Sequence, residues 1–170
     1  LNLNGNDIGY KGAKELAAAL LKNETLTSLD LAGNDIGDEG AKELAAALNN
    51  KTLTSLNLYY NEIGDKGAKE LAAALNKNKT LTELDLSLNE IGHLGAKELA
   101  AALRENKNIK LTELDLSFNN IGYKGAKELA EALKENKTLT HLSLGDNEIE
   151  NEGAMALADG LKENNALSYL

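Results

Sequence analysis

The 170-residue chain has no cysteine, proline or tryptophan, and neither valine nor glutamine. Without cysteine there are no disulfides and no thiolate metal sites. The two histidines, His93 and His141, fall two repeats apart and in different positions of the repeat. A zinc site would need more nitrogen or sulfur ligands close by, so no metal and no cofactor is expected. The single arginine, Arg104, sits late in a predicted helix and does not suit an arginine finger. No run is apolar enough to span a membrane, and no signal peptide is expected from these residues. The formal charge of -9 leaves no basic stripe for nucleic acid. The narrow alphabet fits recent repeat duplication, a biased genome or an idealised sequence.

What is present is one unit, copied. The clearest copy is Leu81 to Asn106, LTELDLSLNEIGHLGAKELAAALREN. Leu81, Leu84 and Leu86 follow L-x-x-L-x-L, which puts Leu84 and Leu86 on one face of a strand and Asp85 on the other. Gly92 and Gly95 permit a change of direction that a Cβ would resist. Ala96, Leu99, Ala100 and Leu103 then form a single helical stripe, with Lys97 and Glu98 outside it. Asn106 is the predicted helix stop. One unit cannot bury its own leucines, but stacked units can, and this is the logic of a solenoid.

A recurring asparagine sets the register: Asn6, Asn34, Asn61, Asn89, Asn119 and Asn147. The steps are 28, 27, 28, 30 and 28 residues, and both irregular steps arise between a helix and the next strand, where loops tolerate length change. The chain opens and closes inside a strand motif. Solenoid ends ordinarily carry polar caps. The expectation is a single array over 1–170, a fragment lacking both caps, with ends that could pair with other copies of the chain.

These residues resemble the leucine-rich repeats of the ribonuclease-inhibitor-like class. The unit LTSLDLAGNDIGDEGAKELAAAL, Leu26 to Leu48, is similar to repeats in nucleotide-binding leucine-rich-repeat receptors, and Ran GTPase-activating protein carries related ones. The resemblance covers the whole chain and rests on structural positions, so it speaks to fold and not to partner. It implies an α/β horseshoe of about six repeats, with a concave parallel sheet inside and helices outside. Packing gives the same curvature, because strands stack about 4.8 Å apart and helices about 8–10 Å apart.

The asparagine column is expected to form a buried ladder, since buried loop backbone must find hydrogen-bond partners. Asp30, Asp85 and Asp115 share one concave column, with Glu83 and Glu113 beside them. They form either a solvated face or an acidic stripe that attracts a basic partner. The two residues before the asparagine vary most and place Tyr59, Tyr60, Leu88 and Phe118 on three consecutive repeats. His93, Leu94 and Tyr123 are expected to join them from the following loop. Such an apolar and aromatic patch marks a protein interface. The alternative for Leu88 and Phe118 is that they fold inward, whereas Tyr59, Leu94 and Tyr123 are expected to be exposed. N-x-T sequons at Asn23, Asn50, Asn78 and Asn136 recur as features of the repeat and would matter only in a secreted protein.

An open sheet offers no enclosed pocket to tune its carboxylates, so no enzyme is expected. The expected function is a protein-interaction scaffold that presents its concave face and adjoining loops to a protein partner. The alternatives are a regulatory or effector module, either a receptor sensor arm or a GTPase-activating module, and an artificial or structural array without a partner. The resemblance implies an intracellular, cytoplasmic setting.

Overall fold

The computed structural model describes all of residues 1–170. Strands and helices alternate: α1 (Gly9–Leu20), β1 (Ser28–Asp30), α2 (Gly37–Ala47), β2 (Ser55–Asn57), α3 (Asp65–Leu75), β3 (Glu83–Asp85), α4 (His93–Glu105), β4 (Glu113–Asp115), α5 (Gly122–Glu135), β5 (His141–Ser143) and α6 (Glu150–Glu163). The five strands form one parallel sheet in chain order, β1-β2-β3-β4-β5. Single parallel bridges, Asn2 to Asp30 and His141 to Tyr169, carry the ladder one step further at each end. No helix is long and apolar enough to cross a membrane.

Each strand is three residues long and buries only its central leucine. Leu29, Leu56, Leu84, Leu114 and Leu142 are all buried and pair in register across the sheet. The leucine two residues later and the helical stripe complete the core: in the fourth repeat Leu86, Ala96, Leu99, Ala100 and Leu103 are all buried. The core is a single cluster running through every repeat, as expected when each unit buries its apolar face on its neighbours. The alanines of α3 do not all face the core: Ala72 is buried, Ala74 half-buried and Ala73 exposed. Helix spacing is instead limited by glycine. A Cβ on Gly67 would lie 3.0 Å from the Ala41 Cβ of the preceding helix, and one on Gly95 would lie 2.9 Å from that of Ala68.

Asparagines stitch the repeats together. Asn89 donates from Nδ2 to the carbonyls of Leu86 (3.0 Å) and Ser87 (3.1 Å) in its own turn, and to Leu58 (2.9 Å) in the preceding repeat. Its Oδ1 accepts from the Asn61 and Ile63 amides at 3.1 and 2.9 Å. Asn34, Asn61, Asn119 and Asn147 repeat this pattern and are buried, whereas Asn6 is exposed and bonds to its own turn through Leu3 and Asn4. No buried side-chain nitrogen or oxygen lacks a partner.

The joints between consecutive repeats come in two forms. Asp38 of α2 reaches forward, and its Oδ1 accepts from the Gly64 and Gly67 amides at 2.8 and 2.7 Å. Asp65 of α3 does the same for Gly92 and Gly95. Gly64 and Gly92 are then extended, and α3 and α4 begin one residue later. At the other joints Tyr10, His93 and Tyr123 occupy that position. The residue that starts the next helix is left-handed there: Gly37 (φ +62°), Gly122 (φ +62°) and Glu150 (φ +57°). In that form the amides of Gly37 and Gly122 bond forward to the carbonyls of Asn61 and Asn147.

Candidate functional site

The concave face is built from the outward residues of the strands. Glu83 lies beside Glu113 and Asp85 beside Asp115, in parallel register. With His141 and Tyr169 they line a shallow depression of about 360 Å³. The His141 and Tyr169 rings stack with centroids 5.8 Å apart. Every ion pair of the chain lies outside the strands, so no lysine or arginine neutralises these carboxylates. The two groups with clearly shifted titration sit on the helices. The hydrogen bond from Lys134 to Glu131 raises the Lys134 pKa, and the hydrogen bond from Lys162 lowers that of Asp159. No group of three or more His, Asp or Glu side chains converges as a metal site.

The aspartate column also has a structural task. One carboxylate oxygen of Asp30, Asp85 and Asp115 accepts from the amide two residues on, at Ala32 (3.1 Å), Ser87 (2.8 Å) and Ser117 (2.8 Å). Asn57 does the same for Tyr59 at 2.9 Å. These Asx turns bend the chain out of the sheet. Half of each aspartate is therefore committed to the backbone, while Glu83 and Glu113 are exposed with no such bond.

Beyond the Asx turn, the residue before each ladder asparagine is left-handed. That column reads Gly5, Gly33, Tyr60, Leu88, Phe118 and Asp146, with φ between +51° and +67°. An L side chain in this region costs roughly 1–2 kcal/mol relative to its ordinary basins, and glycine avoids the cost. Two repeats use glycine, and the three central ones carry bulky apolar side chains. Tyr60 is 57% and Phe118 52% exposed. Leu88 between them is half-buried. Their amides donate to carbonyls of the next repeat, Tyr60 to Ser87, Leu88 to Ser117 and Phe118 to Gly145, which fixes a row one strand spacing apart. Tyr59 is exposed beside Tyr60, with ring centroids 6.2 Å apart. Phe118 thus points outward and does not shield the strand end.

The expected extension of this row by His93, Leu94 and Tyr123 needs correction. They are not in a loop. His93 and Leu94 open α4, and Tyr123 lies in the first turn of α5. Tyr123, expected to be exposed, is half-buried. The three line a separate depression between these helices, away from the strand exits. For His93 and Leu94 the cause is that Asp65 caps α4 immediately after Gly92, so what reads as a turn is already helix. The next helix, α5, starts at a left-handed Gly122 without such a cap, and Tyr123 follows directly inside its first turn.

Two structural sets escaped the sequence reading. Asp38 and Asp65, the forward caps, drew no reading from the sequence pattern. Asn50, Asn78, Asn106 and Asn136 form a second buried ladder at the helix ends, with Nδ2 donating to Leu20, Leu48, Leu75 and Leu103 of the preceding repeat. Their repeat-length recurrence was the available signal. Three of the four sequons therefore use buried asparagines that are already bonded, leaving Asn23 as the exposed one.

Repeated L-x-x-L-x-L strands, asparagine turns and outer helices around one parallel sheet define a leucine-rich-repeat domain. More specifically, residues 1–124 match the TMOD/LMOD leucine-rich domain, and the chain belongs to that family. Residues 135–158 match a leucine-rich-repeat model. Among solved structures, leiomodin-1 actin-binding site 2 is similar at 26% identity, covering 90% of each chain with a TM-score of 0.69. The tropomodulin C-terminal domain of Caenorhabditis elegans shares the fold at 18% identity and a TM-score of 0.69, over 89% of this chain and 92% of that one. No curated protein matches by sequence.

Proposed function

We propose that this chain is a protein-interaction domain, that it engages its partner through the strand-exit row and the adjoining acidic face, and that the partner is actin. The observation that carries the reading is the row itself. Tyr60 and Phe118 are exposed aromatics on left-handed backbone where Gly5 and Gly33 serve the first two repeats. Fold stability alone would favour glycine there, so the side chains contribute something other than stability. Exposed aromatics on a rigid frame are the usual anchors of a protein interface. The carboxylates of Glu83, Asp85, Glu113 and Asp115, none of them in an ion pair, favour a partner patch bearing lysine or arginine. Actin enters through the similarity to leiomodin-1 actin-binding site 2. No observation favours a receptor sensor arm or a GTPase-activating module over this reading.

The test is actin binding by the full chain, followed by sedimentation and by fluorescence anisotropy. The variant Tyr60→Gly/Phe118→Gly copies the first two repeats and keeps the fold. Its affinity should fall by at least about tenfold, with a melting midpoint equal to or above that of the parent. Unchanged affinity would place the contact elsewhere. Absence of any binding by the parent would remove actin as the partner.

A further inference from the structure

The first turns of α4 and α5 enclose a depression of about 460 Å³ on the helix layer. Its apolar part is Leu94, 56% exposed, and the half-buried Tyr123. Lys97, Lys124 and Lys127 surround these, with His93 beside them and Glu128 as the one carboxylate in the lining. This is the reverse of the chain's net charge of -9. It is also unlike the neighbouring helix starts. Acids stand in the first turns of α2 (Asp38, Glu39), α3 (Asp65) and α6 (Glu150, Glu152); none stands in those of α1, α4 or α5, and α4 and α5 are the two acid-free starts that lie side by side.

Two of the three lysines are gathered by Tyr123. The Nζ atoms of Lys124 and Lys127 lie 5.9 and 5.5 Å from its ring centroid, within cation–π range. Lys127 also approaches Glu152 at 3.8 Å, but both side chains are more than half exposed. Such a surface pair is weak and exchanges readily for a better-placed carboxylate. Leu94 and Tyr123 supply an apolar seat, with ammonium groups around it.

We infer that the α4–α5 depression is a second docking surface, independent of the strand-exit row, and that its occupant is an acidic peptide segment carrying an apolar side chain between carboxylates. The apolar side chain rests on Leu94 and Tyr123, and the flanking carboxylates reach Lys97, Lys124 and Lys127. A nucleic acid does not suit it, because three lysines on an acidic body cannot offset the repulsion of a polyanion along the rest of the surface.

The test is a nuclear magnetic resonance titration of the isotope-labelled full chain. The probes are a synthetic peptide alternating glutamate and leucine, its counterpart with lysine in place of glutamate, and phosphatidylserine vesicles. The glutamate peptide should shift the amides of Leu94, Tyr123, Lys124 and Lys127. Raising salt from about 50 to 300 mM should weaken binding by roughly tenfold. The exposed-site variant Lys124→Glu/Lys127→Glu, which circular dichroism should show to be folded, should lose the shifts. The Tyr60→Gly/Phe118→Gly variant should keep them, which separates this surface from the proposed actin contact. The inference is overturned by absence of shifts at these amides at millimolar peptide, by equal response to the lysine peptide, by shifts that survive the charge reversal, or by vesicle binding without peptide binding.

Discussion

The two kinds of joint between repeats differ by one side chain, and that side chain sets the backbone of the next repeat. Where Asp38 or Asp65 is present, a single carboxylate oxygen takes two amides of the following helix, and the glycine at its start is extended. Where Tyr10, His93 or Tyr123 stands in that place, no side-chain oxygen is offered, and the starting residue turns left-handed. Helix starts carry unsatisfied amides that must be met by something. The comparison shows two solutions to that need in one molecule with the same core. It also explains where surface chemistry is free to vary. A joint that does not spend its residue on capping can display an aromatic or histidine, and the α4–α5 depression lies at such a joint.

What both joints share should matter most. Asn89 serves two amides and three carbonyls from a buried position. Asn89→Leu should cost about 3 kcal/mol, because buried amides and carbonyls lose their partners at about 1–3 kcal/mol each. Urea unfolding would show this as a lower midpoint with little change in slope. A midpoint unchanged within error would mean that the ladder contributes no net stability.

The caps come next. Asp65→Ala and Asp38→Ala should each cost about 1.5 kcal/mol, near the upper part of the range for a lost helix cap, since two amides are released together. Tyr10→Ala, in the same position of an uncapped joint, should cost clearly less in the same urea experiment. Equal losses at the two kinds of joint would show that the aspartates act through packing and not through capping.

The comparison can also be run in reverse. His93→Asp supplies a carboxylate where Gly122 and Gly125 stand as Gly92 and Gly95 do one repeat earlier. The variant should gain about 1 kcal/mol, and hydrogen exchange at the Gly122 and Gly125 amides should slow. Unaltered exchange at both would mean that the left-handed start of α5 has another cause.

The sequence carried the fold because the fold depends on repetition. Leucine at Leu81, Leu84 and Leu86, the stripe from Ala96 to Leu103 and the asparagine at Asn89 recur at nearly constant intervals, so each repeat vouches for the others. Tyr59, Tyr60 and Phe118 stood out for the opposite reason, as departures from the pattern, although the pattern left open whether Phe118 folds inward or outward. The joints were not legible. Their column reads Tyr10, Asp38, Asp65, His93, Tyr123, Asn151, with no shared chemistry, and the partner amides lie in the next repeat. The pair of glycines around it read as a turn, which put His93, Leu94 and Tyr123 on the wrong surface. The left-handed row was hidden because Tyr60, Leu88 and Phe118 are residues that ordinarily avoid that backbone. Gly5 and Gly33 in the same column were the only hint.

The smallest effect isolates backbone conformation from everything else. Glu150 starts α6 at φ +57°, in the place taken by Gly37 and Gly122 at the other uncapped joints. Its side chain is exposed and makes neither a hydrogen bond nor an ion pair. Glu150→Gly removes the left-handed penalty of roughly 1–2 kcal/mol. It also gives the unfolded chain extra freedom, which takes back about 0.4–1 kcal/mol. Loss of a carboxylate from the first turn removes a further few tenths of favourable helix-dipole interaction. The balance is a gain of about 0.5 kcal/mol, read as a small rise in the urea midpoint. Asp65→Ala must lose stability while Glu150→Gly gains it, if capping and left-handed glycine are alternative ways of starting the same helix. A loss on Glu150→Gly would mean that α6 tolerates the strained residue because its carboxylate at the helix N-terminus outweighs the strain.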